Sequence, residues 1–400
     1  MVSLYDLSLA ELTEFCSSLG ERPFRARQLY AWLYGKGEND FSKMTDIPAS
    51  AREKLTASAR ADGLVLVETL SSKDRQTTKY LFETDDRNII ETVFMKYKDR
   101  NSVCISTQAG CRMGCRFCAS GQLGLERNLT PSEMALQIIL AERASGAMTK
   151  NIVLMGIGEP LDNYENVKKF IENFTDDHGR DLSRRAITLS TCGIVPGIER
   201  LASELPQVNL AVSLHAPNDA MRLGIMPITK KYNVKDIVKA TKDHYEKTHR
   251  RSTFEYALIK GFNDGMEHAA ELVALLRGMN CIVNLIPLNS SDEDEDESAR
   301  CSRFGSGSDR DSSPVCDRDN ANFRGTIGLS PQDPEHRANT QSSRFGSGVN
   351  RDAGSSAESA ERFRDELARR HIPVTIRKSL GADIGAACGQ LRLRRRQTEI

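Results

Sequence analysis

Apolar residues recur along this chain with two spacings, and the change between them divides it. Leu9, Leu12 and Phe15 follow the helical repeat, with Gly20 as the stop. The next segment, from Arg22 to Tyr34, reads as an amphipathic helix that buries Phe24, Leu29, Trp32 and Leu33 and leaves its charges in water. From 63 to 95 the pattern becomes β-like, in runs at Leu64–Thr69, Lys79–Phe82 and Ile89–Met95.

After Val103 short apolar runs alternate with helical patterns. The spacing predicts strands at Val103–Ser106, Ile152–Met155, Ala186–Ser190, Leu210–Leu214, Phe254–Ile259 and Ile282–Pro287. Helices are predicted between them, among others at Pro131–Arg143, Val234–Glu246 and Glu267–Arg277. Thr130, Pro131 and Glu133 form a complete helix-start signal. Such alternation specifies an α/β fold with a parallel sheet, and six units in this length fit a partial, TIM-like (β/α)6 barrel. A small helical accessory unit (1–62) and a β-rich extension (63–100) precede the barrel, which takes 101–290 and 358–400. Residues 291–357 break the pattern with six consecutive acids, Asp292 to Glu297, then Ser, Arg, Gly and Asp. Ser302-Arg-Phe-Gly-Ser-Gly recurs there from Ser343. This composition reads as a disordered insertion, with an RNA-contacting arm as the alternative.

Composition narrows the classes. The 55 basic and 55 acidic residues cancel, which argues against a strong general field for nucleic acid. The acidic run conceals a moderately basic body and an arginine tail (Arg392, Arg394, Arg395, Arg396), compatible with an RNA partner. Arg25 and Arg27 interleaved with Tyr30, Trp32 and Tyr34 also suit RNA contact. The sequence has no apolar run of membrane length, and its start is not a signal peptide, so a cytoplasmic location without a membrane partner is expected. Ten cysteines in such a chain favour metal binding over a disulfide scaffold.

Cys111, Cys115 and Cys118 stand as Cys-x3-Cys-x2-Cys. Three thiolates suit three irons of a four-iron, four-sulfur cluster and leave the fourth open to a small molecule. Zinc, which wants a fourth protein ligand, and unligated cysteines are the alternatives. Gly158 and Glu159 follow the second barrel strand, Ser190 closes the third, Ser213 and His215 the fourth, and Asn289 the sixth. Together they outline a ligand rim at the carboxyl ends of the strands.

With these residues in place the chain resembles the radical S-adenosylmethionine superfamily. The stretches Cys104-Ile-Ser-Thr-Gln-Ala-Gly-Cys, Met155-Gly-Ile-Gly-Glu-Pro, Thr188-Leu-Ser-Thr-Cys-Gly-Ile-Val-Pro, Ser213-Leu-His-Ala-Pro-Asn and Ala386-Ala-Cys-Gly-Gln-Leu look like the RlmN family of dual-specificity RNA methyltransferases. The resemblance implies methylation of carbon 2 of adenosine in 23S ribosomal RNA and in tRNA, beside the anticodon. It further implies an iron–sulfur cluster on Cys111, Cys115 and Cys118, two molecules of S-adenosylmethionine, an electron-donor protein and a monomer. Cys388 would carry the methyl group, and Cys104 would resolve the adduct through a transient disulfide with it. Glu91 would accept a proton. Gly158, Glu159, Ser190, Ser213, Leu214, His215 and Asn289 would hold the cofactor. Cys16, Cys192, Cys281, Cys301 and Cys316 match no catalytic position, and the first three read as packing residues. The chain departs from the family pattern after Asn289, where a short proline-containing connection is replaced by the insertion. Two competing readings are the sister class that methylates carbon 8 of the same adenosine, and a non-catalytic RNA binder with a structural metal.

Overall fold

The computed structural model describes residues 1–122, 124–287, 355–377 and 380–391, with the backbone of 394–395. The proposed insertion falls almost wholly outside the described residues, as do Asn289, Cys301 and Cys316. Its C-terminal boundary shifts: Ser355 is already buried, with its hydroxyl donating to Asp264 at 2.9 Å.

Six strands lie parallel in chain order across one sheet: Asn101–Cys104, Asn151–Leu154, Ile187–Thr191, Asn209–Ser213, Ser252–Leu258 and Cys281–Pro287. Each overlaps its predicted run, displaced by a residue or two. A seventh parallel strand, Val374–Ile376, adds to the last. At the opposite edge Asn88–Lys96, Thr77–Thr84 and Leu64–Ser71 continue the sheet antiparallel. The strand order does not return on itself among the described residues, so the barrel is open and the β-rich extension is part of its wall.

The two sheet faces differ, as alternating side chains require. Val103, Ile152 and Leu154 face the helices and join the main core, whereas Cys104, Val153 and Met155 face inward. The helix Pro131–Ser145 has the predicted start. Thr130 Oγ1 accepts from the Glu133 amide at 3.2 Å, and the Glu133 carboxylate accepts from the Thr130 amide at 2.9 Å. Met134, Leu136, Ile138 and Ile139 are all buried, because this helix is covered by the sheet and by the N-terminal unit.

That N-terminal unit shares the barrel's core. Its first helix, Leu9–Ser18, ends two residues before Gly20, which takes φ +72°. The Arg22–Tyr34 segment corrects the sequence reading in part. Leu29 and Leu33 are buried, but Phe24 is 48% exposed and Trp32 only half-buried. Tyr30 and Tyr34 are buried instead. Their hydroxyls donate to the carbonyls of Asn173 (2.9 Å) and Tyr5 (3.0 Å). Arg25 is buried against Glu21 and the Asp46 carbonyl. Tyr30 and the Tyr34 ring, edge-on to Phe174, hold the unit to the barrel, while Arg25 braces the unit internally, and none of the three is presented for stacking on RNA bases. No helix among the described residues is long and apolar enough to cross a membrane.

Candidate active site

The carboxyl ends of the strands enclose a cleft, where ligands of α/β barrels bind. Cys111, Cys115 and Cys118 line it from one side, and Gly158, Glu159, Ser190, Ser213 and His215 from the other. Cys388 closes it. The strand ends thus bring together most of the residues singled out in the sequence. Leu214 is not among them: its side chain is in the core, its amide donates to the Glu255 carbonyl at 3.1 Å, and its carbonyl accepts from Arg222.

The cysteine loop leaves the strand Gln108–Cys111 through Gly114, at φ +67°. The Cys118 amide returns to the Cys115 carbonyl at 3.2 Å and the Gly121 amide to the Cys118 carbonyl at 3.0 Å. Phe117 turns its ring edge-on to His215, with centroids 4.9 Å apart, so the loop rests on the fourth strand end. Burial pushes the Cys111 and Cys115 thiols well above the ordinary range. Bound metal reverses that by stabilising thiolates.

Opposite, the Glu159 carboxylate accepts from the amides of Leu161 (3.0 Å) and Cys192 (2.7 Å), and complete burial raises its pKa. Gly158 takes φ +109°, and an added Cβ there would lie 2.6 Å from the Gln108 Cβ. Only glycine fits both restraints. Gly158→Ala is therefore expected to displace Glu159 and lower stability by about 1–3 kcal/mol, measured by denaturant unfolding, because a strained backbone costs about that much.

His215 adopts φ +57°, and its Nδ1 accepts from the Ala257 amide at 2.9 Å. The neutral ring therefore carries its proton on Nε2. Burial and the Arg222 guanidinium lower its pKa to about 3. A folded-state pKa below the unfolded value of about 6.5 means His215 favours folding above pH ~6.5 and loses that contribution as the pH falls toward 3. Chemical unfolding of His215→Gln should show a shallower acid decline than wild type, by at most about 1.4 kcal/mol per pH unit.

A second chamber adjoins the cleft on the inner face of the sheet. Gln76, Val93, Met95, Tyr97 and Cys104 line it on one side, and Leu380, Ala386, Ala387 and Leu391 on the other. Met155, Ile286, Arg377 and Cys388 border both chambers. The loop bearing Cys388 is held from two sides. The Ala119 amide donates to the Gly389 carbonyl (2.8 Å) and Ser120 Oγ to the Leu391 carbonyl (2.7 Å). From the extension, Lys79 Nζ donates to the Gly385 carbonyl (3.0 Å), and the Lys73 amide to Asp383 (2.9 Å). Gly381 packs so closely on Thr77 that a Cβ would stand 2.7 Å from its methyl.

Cys104 and Cys388 are both free thiols that face the second chamber. Burial pushes Cys104 up to about 12 and also raises Cys388, against which the Arg377 guanidinium works. Glu91 is 1% exposed and borders neither chamber. Its carboxylate lies 3.7 Å from Lys79 Nζ, one pleat along the inner face from Val93, whose sheet partner is Cys104.

Three residues escaped the sequence reading. Glu255 lines the cleft and accepts from Asn284 Nδ2 at 2.9 Å. Arg377 follows the last strand. A charge in an otherwise apolar parallel strand is a readable signal, and Glu255, inside Phe254-Glu-Tyr-Ala-Leu, carried it. Arg222 carried none. It is fully buried and donates to the carbonyls of Leu214 (3.0 Å), Ser213 (3.0 Å) and Cys192, and to Thr229 Oγ1 (2.9 Å). Of the cysteines read as packing residues, Cys16 and Cys281 are in the core, whereas Cys192 borders the cleft.

Comparison with known proteins gives this arrangement a lineage. Residues 2–61 match the ribosomal RNA large subunit methyltransferase N-terminal domain, and residues 105–273 the radical SAM superfamily. A protein of Clostridium botulinum named probable dual-specificity RNA methyltransferase RlmN is 41% identical, over 98% of both chains. The chain belongs to the RlmN family. A relative of the same name from Pelotomaculum thermopropionicum is 42% identical over 98% of this chain and 91% of its own. The crystal structure of a radical SAM methyltransferase from Sphaerobacter thermophilus superposes with a TM-score of 0.81 at 39% identity, covering 98% of this chain and 99% of that one. RlmN-family membership makes the chain a radical S-adenosylmethionine RNA methyltransferase, and the superfamily in general uses S-adenosylmethionine with a four-iron, four-sulfur cluster.

Proposed function

We propose that this enzyme methylates carbon 2 of adenosine in 23S ribosomal RNA and in the tRNA anticodon arm. The observation that carries the reading is the meeting of two free thiols from distant parts of the chain, Cys104 and Cys388, in one chamber beside the cysteine-lined cleft.

The donor set fits the cofactors. Cys111, Cys115 and Cys118 would ligate the cluster, while Gly158, Glu159, Ser190, Ser213 and His215, with Asn289 beyond the described residues, would hold S-adenosylmethionine. When bound, these groups supply the methyl group and a carbon radical. The remaining steps belong to protein side chains. Cys388, as thiolate, takes the methyl group and carries it as a thioether, the thiolate being the nucleophilic form. It presents that carbon to the adenine, whose electron-poor carbon 2 does not attack a methyl sulfonium by a polar route. Cys104 then attacks the Cys388 sulfur, releasing methyladenine and leaving a disulfide for an electron-donor protein to reduce. Glu91, paired with Lys79 one pleat from the chamber residue Val93, would accept the proton lost from carbon 2 once RNA binding opens the chamber wall to it.

Anaerobic reconstitution with iron, sulfide, S-adenosylmethionine, a reductant and adenosine-containing RNA, followed by mass analysis of the digested nucleosides, tests the reading. 2-Methyladenosine is expected, and 8-methyladenosine alone overturns the regiochemistry.

A further inference from the structure

The second chamber opens between two sharp turns, and these carry a feature the catalytic scheme leaves unused. The first turn is closed by the Arg75 amide on the Ser72 carbonyl (2.9 Å), the second by the Tyr97 amide on the Arg100 carbonyl (2.9 Å). The Lys96 amide donates to the Gln76 carbonyl at 2.8 Å and sets the two side by side. Lys73, Arg75, Lys96, Lys98 and Arg100 are all exposed there, against the acids Asp74 and Asp99. Asp74 is turned into its own turn, accepting from Ser72 Oγ and from the Gln76 amide (2.9 Å). Asp383 sits beneath, on the Lys73 amide. Among the described residues, none of the five cations is held in an ion pair.

Between these cations stands Tyr97, 43% exposed, with the Arg100 guanidinium 5.6 Å over its ring. The same ring lines the chamber that reaches Cys104 and Cys388. Cations spaced along an edge beside an exposed aromatic suit single-stranded RNA, whose phosphates meet the charges while a splayed base stacks on the ring. Charge alone does not select the edge. The groove lined by Arg277, Arg369, Arg370 and His371 is also basic, but its Arg369 and Arg370 are paired with Glu366, and neither Cys104 nor Cys388 borders it.

We propose that the turns at 72–76 and 96–100 form the docking edge for the RNA strand that carries the target adenosine, with Tyr97 stacking its base at the chamber mouth. The proposal rests on the adenosine methyltransferase reading and adds the direction of entry. RNA approaches along the antiparallel extension, and the base reaches Cys104 and Cys388 along the inner face of the first barrel strand.

The test compares the reconstituted full-length enzyme with Lys73→Glu/Lys98→Glu, using a short adenosine-containing RNA hairpin as the probe. RNA binding by the double variant should weaken at least about tenfold at 0.1 M salt. The slope of log affinity against log salt should fall by about 1.4, from two lost phosphate contacts at roughly 0.7 each. Thermal unfolding of each variant, recorded alongside, shows that the fold is kept. Tyr97→Ala should raise the KM for the hairpin, and Tyr97→Phe should restore it, because stacking needs only the ring. Unchanged affinity and salt slope in the double variant overturn the docking edge, as does a Tyr97→Ala enzyme with wild-type KM. A wild-type enzyme that makes no methyladenosine overturns the underlying reading instead, so the two failures are distinguishable.

Discussion

Cys388→Ala is expected to reduce RNA methylation to background, and Cys104→Ala to accumulate protein joined covalently to RNA. Both effects follow from the proposed division of labour between the two thiols. Without Cys388 the chamber loses the thiol that also borders the cysteine-lined cleft, and Cys104, which borders only the second chamber and is pushed up to about 12 by burial, does not replace it. Cys388 is also raised by burial, and the Arg377 guanidinium favours the thiolate of both cysteines, acting most strongly with Cys388. Without Cys104, methyl transfer to Cys388 and its bonding to adenine proceed, but nothing attacks the Cys388 sulfur to release the product. Denaturing electrophoresis of labelled RNA reads the trapped species directly. Normal turnover by Cys104→Ala would refute its resolving role.

Arg222→Met should destabilise the protein by about 2–4 kcal/mol, because several buried acceptors lose their donor. The guanidinium, itself fully buried, satisfies carbonyls from two strand ends, those of Cys192, Ser213 and Leu214. A methionine of similar length fills the volume and leaves these acceptors unpaired, at about 1–3 kcal/mol each before relaxation. The loss also bears on the cysteine loop. The Arg116 amide donates to the Ile225 carbonyl at 2.9 Å, at the end of the short helix that carries Arg222. Denaturant unfolding should show the lower midpoint, and iron content after reconstitution should fall with it. Arg222→Lys should recover little, since one ammonium cannot reach acceptors spread across two strands. Wild-type stability in the methionine variant would show that the network is dispensable.

Local physics explains which features were legible in the sequence. The six strands and the helix at Pro131 announce themselves through short-range periodicity and a capping signal, and neither depends on the rest of the chain. The cysteine triad is likewise local, its three thiols separated by a few residues of one loop. The Arg22–Tyr34 segment was misjudged in part because periodicity gives a face and not what covers it. Contact with the barrel buries Tyr30 and Tyr34, contacts inside the unit bury Arg25, and Phe24 is left outside.

The sequence by itself determined an open α/β barrel, a cysteine-lined cleft at the carboxyl ends of its strands, and two further cysteines of distinctive context. Only the tertiary structure decided that Cys104 and Cys388 share a chamber, because the contact depends on a loop clamped by Lys73, Lys79, Ala119 and Ser120, four positions remote from it in sequence. It also decided that Glu91 is buried against Lys79, and that Arg222 joins two strand ends. Each is a pairing across strands or loops. Such pairings leave no periodic trace, since a charged residue reads the same in sequence whether water or three buried carbonyls surround it.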